Sequence, residues 1–519
     1  MKNFNTYIQK KDYKKALELI KIELNKDPSN NEGLYLLALL QDRTGDYNSA
    51  IINLKKIKKI KDNPIYLKLL GKIYLKISKF EESKENFIYL KNNFDPDSEI
   101  ENFLGIISAR QNNENHAIEH FKRSSELNSK FIDPIYNLME IFEKKNDLEN
   151  LKKITNNSLK DDPKNKIFLF YSSIVYEKDE KIEEAIQIIN SLNFDTNNEW
   201  VIKSKNKLAS LYEKKKKFKL AFSLYKESNN LLLNNINRKN FINNSFLKQI
   251  TEIKNNKINY INKNENFISK IDFTLVFLIG FPRSGTTLLD AILSSHSKIK
   301  ILEEKPLVQS TINNIKKNQI NKSSKDYKEQ VETYYLNNLK KYIDIKSIEG
   351  GVFIDKLPLN IVNINFIHQL FPKAKFIFSL RHPLDSILSC YKQNFVLNSA
   401  MINFLELNRI SEIYNIAMSI FKDSYPKITN RLFIIKYENL VLNKNYEIKQ
   451  VLNFLNISWE KNINLYRKNL SNKERIRTPS YNQVTKKLYK TSINRWKCYK
   501  IELKAIIPKV SEWIKYFNY

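Results

Sequence analysis

The first half of the chain repeats one arrangement of polar and apolar positions. A polar turn is followed by an aromatic or apolar residue, and a small or apolar residue, here called the anchor, comes soon after on a predicted helix. The anchors are spaced by 33 to 36 residues and lie at Ala16, Ala50, Ser83, Ala117, Leu151, Ala185 and Ala221. A period of this length predicts stacked helix pairs, because each pair can bury its apolar face only against its neighbours.

Prolines mark the ends of the predicted helix pairs. They lie near the unit boundaries, at Pro28, Pro64, Pro96, Pro134 and Pro163. A proline cannot continue a helix, and a small anchor lets two helices cross closely, so we interpret the anchors as packing residues. The pattern resembles the tetratricopeptide repeat. That resemblance implies an all-α solenoid over residues 1–235, with a groove for a protein or peptide partner.

The second half of the chain has a different pattern. Much of the segment 236–272 is rich in Asn and Lys with apolar residues at helical spacing, which predicts a helical linker. From Phe273 to Gly280 the chain is almost continuously apolar, as in a buried parallel strand. We therefore predict a separate α/β domain with a parallel sheet over residues 273–519.

A predicted anion-binding turn follows this strand. The strand leads into a tight turn and then a helix, and the turn contains Arg283, Ser284, Gly285, Thr286 and Thr287. Backbone N–H groups and the dipole at the start of a helix attract an anion, and the hydroxyl groups and the guanidinium add further donors. The pattern therefore predicts a phosphate cradle.

The turn differs from the Walker P-loop of nucleotide triphosphatases at one position. Gly280 and Gly285 have the Walker spacing, but Thr286 occupies the position of the Walker lysine. Without that lysine the grip on β- and γ-phosphates is lost, which argues against an ATP kinase. A nucleotide or adenylylsulfate kinase stays an alternative hypothesis, as does a non-catalytic repeat scaffold with a relict nucleotide domain.

Further motifs follow the turn. A strand that ends at Arg381 leads into a helix that Pro383 starts and that contains Ser389. A short loop motif contains Lys356, two adjacent acidic residues are Glu303 and Glu304, and a basic, hydroxyl-rich segment extends from 478 to 496. Together with the turn, these motifs resemble PAPS-dependent sulfotransferases of the tyrosylprotein sulfotransferase type over residues 273–500.

The resemblance implies a P-loop-like fold and a function. The co-substrate would be PAPS (3′-phosphoadenosine 5′-phosphosulfate), without a metal, and the sulfuryl group would pass to a hydroxyl of an acceptor. The 5′-phosphosulfate would lie on residues 283–287, and Arg381 and Ser389 would hold the 3′-phosphate. The tyrosylprotein enzymes have another Arg four residues after that serine, where this chain has Gln393.

The resemblance also implies the remaining site residues. Lys356 would stabilise charge on the leaving phosphate, and Glu304 would be the base that accepts the acceptor's proton, with Glu303 as the second choice. Two histidines are weaker candidates for the base. Arg283 and Ser480 would also act in catalysis by holding the transferring group, while further donor contacts would come from Tyr437, Lys486 and Arg495. The histidines are His296 and His382.

Composition adds limits on compartment and partners. The formal net charge is +31, which we interpret mainly as compositional bias toward Lys, Asn and Ile, because no nucleic-acid motif accompanies it. Two cysteines, no signal-like start and no apolar run of membrane length predict a cytoplasmic protein. His116 and His120 have helical ligand spacing but no third ligand nearby, so no metal site is predicted. The acceptor could be a protein, a glycan or a lipid.

Overall fold

The computed structural model describes residues 7, 12–111, 113–195, 199–235, 245–255, 269–321, 324, 326–467 and 490–519. The chain divides into two compact units, Met1–Val175 and Tyr176–Tyr519. The boundary falls within the helix Lys166–Lys178. Each unit is described separately below.

The first unit is an array of short antiparallel helices. In chain order these are α1 Tyr13–Lys26, α2 Asn31–Thr44, α3 Tyr47–Lys56, α4 Pro64–Lys76, α5 Phe80–Asn93, α6 Ser98–Arg110, α7 Glu114–Leu127, α8 Asp133–Lys145, α9 Leu148–Asp161 and the beginning of α10 Lys166–Lys178. All seven anchors of the chain are fully buried, at 0% exposure. Their burial confirms that the 34-residue period reports helix packing.

A contact between a glycine and a phenylalanine also recurs between neighbouring helices of this array. Gly71 and Gly105 lie on corresponding helices, and each meets a buried phenylalanine from the following helix, Phe87 and Phe121. A Cβ atom on Gly71 would lie 2.9 Å from the Phe87 ring, and one on Gly105 would lie 2.5 Å from the Phe121 ring. Glycine is therefore needed at both positions, because no larger residue leaves room for the ring.

The second unit contains a five-stranded sheet. Its strands are β1 Thr274–Gly280, β2 Ile299–Glu303, β3 Val352–Lys356, β4 Lys375–Leu380 and β5 Leu432–Lys436. The strand order is β2-β3-β1-β4-β5 and every pairing is parallel, which confirms the predicted parallel sheet. Strand β1 is central and almost entirely buried, as its apolar sequence predicts.

Helices precede, connect and follow these strands. They are α11 Ile182–Ser191, α12 Glu199–Lys214, α13 Phe218–Asn235, α14 Ser245–Asn255, α15 Thr286–Leu293, α16 Leu307–Lys317, α17 Tyr327–Lys340, α18 Ile364–Leu370, α19 Pro383–Tyr391, α20 Leu407–Ile428, α21 Tyr437–Leu442, α22 Lys444–Leu455 and α23 Ile507–Tyr516. Two apolar clusters form the core, one on each face of the sheet. The carboxyl ends of parallel strands therefore meet at one open edge, where ligands bind in sheets of this kind.

None of the helices among the described residues combines the length and the apolar character that crossing a lipid bilayer would require.

Candidate active site

The turn between β1 and α15 has the backbone geometry of an anion cradle. Gly285 has φ +99°, a left-handed conformation that glycine adopts without strain, and α15 begins at the next residue. A Cβ atom on Gly285 would lie 2.5 Å from the Tyr437 ring, and one on Gly280 would lie 2.5 Å from the Ser379 carbonyl oxygen. The two glycines thus let the turn pack closely, and the first N–H groups of a helix, which have no partner within it, attract anions.

The second predicted anion-binding side chain, Arg381, lies at the end of β4 and packs against this turn. Its Nη1 donates to the Arg283 carbonyl oxygen at 3.0 Å, and its Nη2 donates to the Ser492 carbonyl oxygen at 2.7 Å. The guanidinium also lies 4.8 Å from the centre of the Tyr437 ring. Among the described residues its buried Nε finds no hydrogen-bond partner. The two hydrogen bonds fix the guanidinium and use two of its five N–H groups.

Arg283 connects the two predicted phosphate positions. Its Nε donates to Ser389 Oγ at 3.0 Å, so a residue of the 5′ turn contacts a residue predicted for the 3′-phosphate. The Tyr437 hydroxyl lies 2.8 Å from Ser492 Oγ, which places its ring beside both the turn and Arg381. The structure therefore brings together Arg283, Gly285, Arg381, Ser389 and Tyr437. Ser284, Thr286 and Thr287 are buried in the same turn.

Lys356 forms the centre of a separate charge cluster. Its fully buried Nζ lies 2.9 Å from Glu303 Oε1, 3.1 Å from Glu304 Oε1 and 3.8 Å from Asp290 Oδ2. Burial alone would lower the pKa of Lys356, but the three carboxylates outweigh it and raise that pKa well above its usual value. The ammonium group is therefore charged at neutral pH.

Sequence reasoning missed Asp290 as a member of this cluster. It lies one helical turn after Thr286 on α15, on the helix that begins at the anion-binding turn. The available signal was an acidic side chain just beyond a predicted phosphate cradle. Nothing in the sequence indicates that this side chain faces a lysine from β3, because that proximity depends on the strand order.

The two acidic residues of the predicted base differ in geometry. Glu304 has φ +49°, a left-handed conformation that is strained for a residue with a side chain, and its N–H donates to the Lys356 carbonyl oxygen at 2.7 Å. Its side chain is 40% exposed, whereas that of Glu303 is 16% exposed. Arg283 also has a positive φ, +70°. Strained backbone of this kind is concentrated at functional sites, and here it occurs in both predicted loops.

The two histidines considered as alternative bases make structural contacts. The His296 ring is buried, with Nδ1 accepting from the Lys298 N–H at 3.1 Å and Nε2 lying 2.8 Å from the Ser458 carbonyl oxygen. His382 stacks on Trp496 with ring centres 5.0 Å apart. Burial, with help from nearby cations, lowers the pKa of His382 to about 4. Both rings therefore have packing roles in this fold.

The residues predicted from the C-terminal segment have different outcomes. Arg495 Nη2 lies 3.8 Å from Glu213 Oε1, and its guanidinium lies 5.1 Å from the centre of the Phe218 ring; its donor contact stays a prediction. Ser480 and Lys486 lie outside the described residues. Their predicted roles stay predictions.

Asp355 is a buried acid next to Lys356 that points to the opposite face of the sheet. Its Oδ2 accepts a hydrogen bond from the Tyr335 hydroxyl at 3.0 Å, and its Oδ1 has no partner within the described part of the chain. Burial raises the pKa of Asp355 to about 7, although the Tyr335 hydrogen bond opposes this. Alternation along β3 thus separates an acid of raised pKa in the core from a charged lysine at the site.

Comparison with known protein families agrees with this geometry. The model of the group described as "Sulfotransferase family" matches residues 276–461, which include the anion-binding turn, Lys356 and Arg381. Residues 276–461 form a sulfotransferase-family domain. A second family model, "Anaphase-promoting complex, cyclosome, subunit 3", matches residues 6–87 in the helical array. The N-terminal region is accordingly an array of tetratricopeptide type.

Searches of curated proteins and of solved structures also found similar chains. An uncharacterized protein of Aquifex aeolicus is 30% identical over 46% of this chain and 32% of its own length. "Protein-tyrosine sulfotransferase A" of Caenorhabditis elegans is 24% identical over 43% of this chain and 60% of its own length. The solved "Sulfotransferase Domain from the Synechococcus PCC 7002 Olefin Synthase" is 16% identical with a TM-score of 0.33, over 46% of this chain and 90% of that chain. The chain thus spans less than two thirds of the two curated relatives.

Replacing Asp355 by Asn should reduce the pH dependence of stability. An unfolded Asp has a pKa near 3.9, so between about pH 4 and pH 7 the folded state retains a proton that the unfolded state has lost. Stability therefore falls as pH rises through this window, by at most about 4 kcal/mol. Asp355→Asn should remove this fall, which we expect to see as a urea midpoint that changes less than that of wild type between pH 4.5 and 7.5.

The exposed Asp423 offers a matched control for this test, because Asp423→Asn changes the same chemistry without burial. If the urea midpoints of wild type and Asp355→Asn changed equally with pH, this result would contradict the raised pKa of Asp355.

Proposed function

We propose that the protein is a PAPS-dependent sulfotransferase that moves a sulfuryl group to an acceptor hydroxyl. The observation that carries the proposal is the contact between the two predicted anion-binding groups. Arg381 donates to the backbone of the 5′ turn, and Arg283 of that turn donates to Ser389. Two adjoining anion positions suit a nucleotide that bears phosphate at both its 5′ and 3′ positions.

The residues present fit such a donor. The start of α15 supplies backbone N–H groups that the helix itself does not use, the close approach of Tyr437 to Gly285 leaves no room for a Cβ atom, and the guanidinium of Arg381 is a charged donor. Hydrogen bonds to anions that involve a guanidinium are roughly twice as strong as neutral ones. No cluster of three or more potential metal ligands occurs among the described residues. We propose that Ser480 and Lys486 complete the donor site as the family resemblance implies.

Catalysis would depend on position and charge. Sulfuryl transfer resembles phosphoryl transfer, in which a loose, in-line transition state spreads charge over the oxygens. As the bond from the acceptor oxygen to sulfur forms, the bond from sulfur to the 5′-phosphate oxygen breaks. Lys356, which its carboxylate neighbours keep protonated, would stabilise the negative charge that develops on that leaving oxygen.

Glu304 is the proposed base for this step. Its carboxylate would accept the proton that the acceptor hydroxyl loses on attack. It is the more exposed of the two adjacent acids, so an acceptor can reach it, and its strained backbone holds it beside Lys356. Glu303 lies deeper and closer to Lys356, and we assign it to positioning the ammonium group.

The acceptor belongs to a class that carries a hydroxyl group. The names of several relatives make protein tyrosine one candidate, and the helical array offers a surface for a protein partner. Glycans and lipids are the other candidates. Incubation of a cell extract with radiolabelled PAPS would identify which fraction accepts the label.

Replacing Arg381 by Ala should weaken binding of the desulfated nucleotide PAP (3′-phosphoadenosine 5′-phosphate). Loss of a charge-assisted contact to the 3′-phosphate predicts a decrease of about 10- to 100-fold. Binding of AMP, which lacks that phosphate, should change little. Isothermal titration calorimetry with both nucleotides measures the difference.

Ser389→Ala is a milder companion variant, in case Arg381→Ala disturbs the fold through its two lost backbone contacts. It should weaken PAP binding in the same direction. Arg381→Ala protein that bound PAP as tightly as wild type would contradict the division of the donor site into two anion positions.

Replacing Glu304 by Gln should lower kcat for labelled sulfate transfer by about 10²- to 10⁴-fold, because the carboxylate that accepts the proton is lost. Affinity for PAP should stay within about twofold, since the donor does not need the base. Glu303→Gln is the matched control and should lower kcat less. A larger loss in Glu303→Gln than in Glu304→Gln would reverse the assignment.

A further inference from the structure

We propose that Glu213, on α12, is a positioning residue for the 3′-phosphate end of the donor site. The inference rests on the proposed function, because it concerns how that site is held. Glu213 lies in the part of the sequence with the repeat pattern, for which the sequence predicted only packing residues. In the structure it lies in the same compact unit as the sheet.

One carboxylate serves several partners here. The Glu213 side chain is only 12% exposed, and it accepts contacts from the Lys392 ammonium group and the Tyr499 hydroxyl. Its Oε1 lies 3.8 Å from Arg495 Nη2, and its Oε2 accepts from the Tyr225 hydroxyl at 3.4 Å. Two cations from distant parts of the chain thus share one buried acid. Lys392 and Arg495 would repel each other without it.

The contact with Lys392 connects Glu213 to the helix that carries Ser389. Lys392 directly follows that helix, α19, and lies about one helical turn after Ser389. Helix α13 contacts the same end of α19. Asn229 Nδ2 donates to the Tyr391 carbonyl oxygen at 3.0 Å, and Phe222 stacks on the Tyr391 ring with ring centres 5.4 Å apart. Glu213 and α13 therefore fix the end of the helix that carries a predicted 3′-phosphate ligand.

The contacts with Arg495 and Tyr499 connect Glu213 to Arg381. Arg495 and Tyr499 lie in one short 3₁₀-helix, and the N–H of Trp496 in that helix donates to Asp385 Oδ1 at 2.7 Å. Three residues before Arg495, the Ser492 carbonyl oxygen accepts from Arg381 Nη2 at 2.7 Å. The segment 492–499 is therefore held at one end by Glu213 and contacts Arg381 at the other.

Both connections end at the 3′-phosphate position. Glu213 contacts no residue of the 5′ turn at 283–287 in the bonds described for it. Loss of its charge should therefore act first on Ser389 and Arg381, and should reach the 5′ turn only indirectly, through their contacts with Arg283. This asymmetry distinguishes a positioning role from general support of the fold.

Glu213→Gln in the full-length protein tests the inference. PAP binding should weaken about tenfold, whereas AMP binding should stay within about twofold of wild type. In turnover with PAPS, KM for the donor should rise and kcat should change little. Tyr499→Phe, which removes one hydroxyl donor to Glu213, should shift PAP binding in the same direction by less. Glu213→Asp, which keeps the charge, should restore part of the affinity.

Glu183→Gln is the matched control, because Glu183 is an exposed partner of Lys215 near the same helices. It should bind PAP like wild type. Equal PAP affinity in wild type and Glu213→Gln would overturn the inference, and so would a parallel loss of PAP and AMP binding with a lowered Tm. Wild-type protein that bound no PAP would overturn the proposed function itself, which is a separate outcome.

Discussion

The hydrogen bond from Arg381 to the Arg283 carbonyl oxygen joins the two halves of the candidate active site. It connects the end of β4 to the turn after β1, and the Arg283 side chain then continues the link to Ser389 on α19. The parallel order of β1 and β4 makes this contact possible, because their carboxyl ends lie side by side. Gly285 and Tyr437 complete the arrangement by allowing the turn to approach the guanidinium. The proposed donor site depends on this junction.

A second constraint acts on the other side of β1. Lys356 is buried beside three carboxylates, and loss of its ammonium charge would leave those carboxylates without a compensating cation from this side chain. Glu304 has a strained, left-handed φ, and its partly exposed carboxylate lies beside Lys356. In the proposed reaction this cluster would provide both a cation for the leaving oxygen and a base for the acceptor.

The sequence predicted those parts of the fold that depend on local pattern. The repeat anchors, the buried strand β1 and the glycine turn report local packing and backbone freedom, and all are confirmed. The short strands β2 and β3 mix polar and apolar residues, so their pattern is weak. Asp290 and Glu213 could not be assigned, because each meets its partner only through the tertiary fold. The ion pair of Arg495 with Glu213 was likewise not predictable, because the two residues are far apart in the sequence.

The most direct test of the account is a crystal structure of the protein with PAP. One nucleotide should bridge the two positions, with its 5′-phosphate at the N–H groups of residues 285–287 and its 3′-phosphate within hydrogen-bond distance of Arg381 and Ser389. A nucleotide bound elsewhere, or one whose 3′-phosphate points away from Arg381, would contradict the central claim.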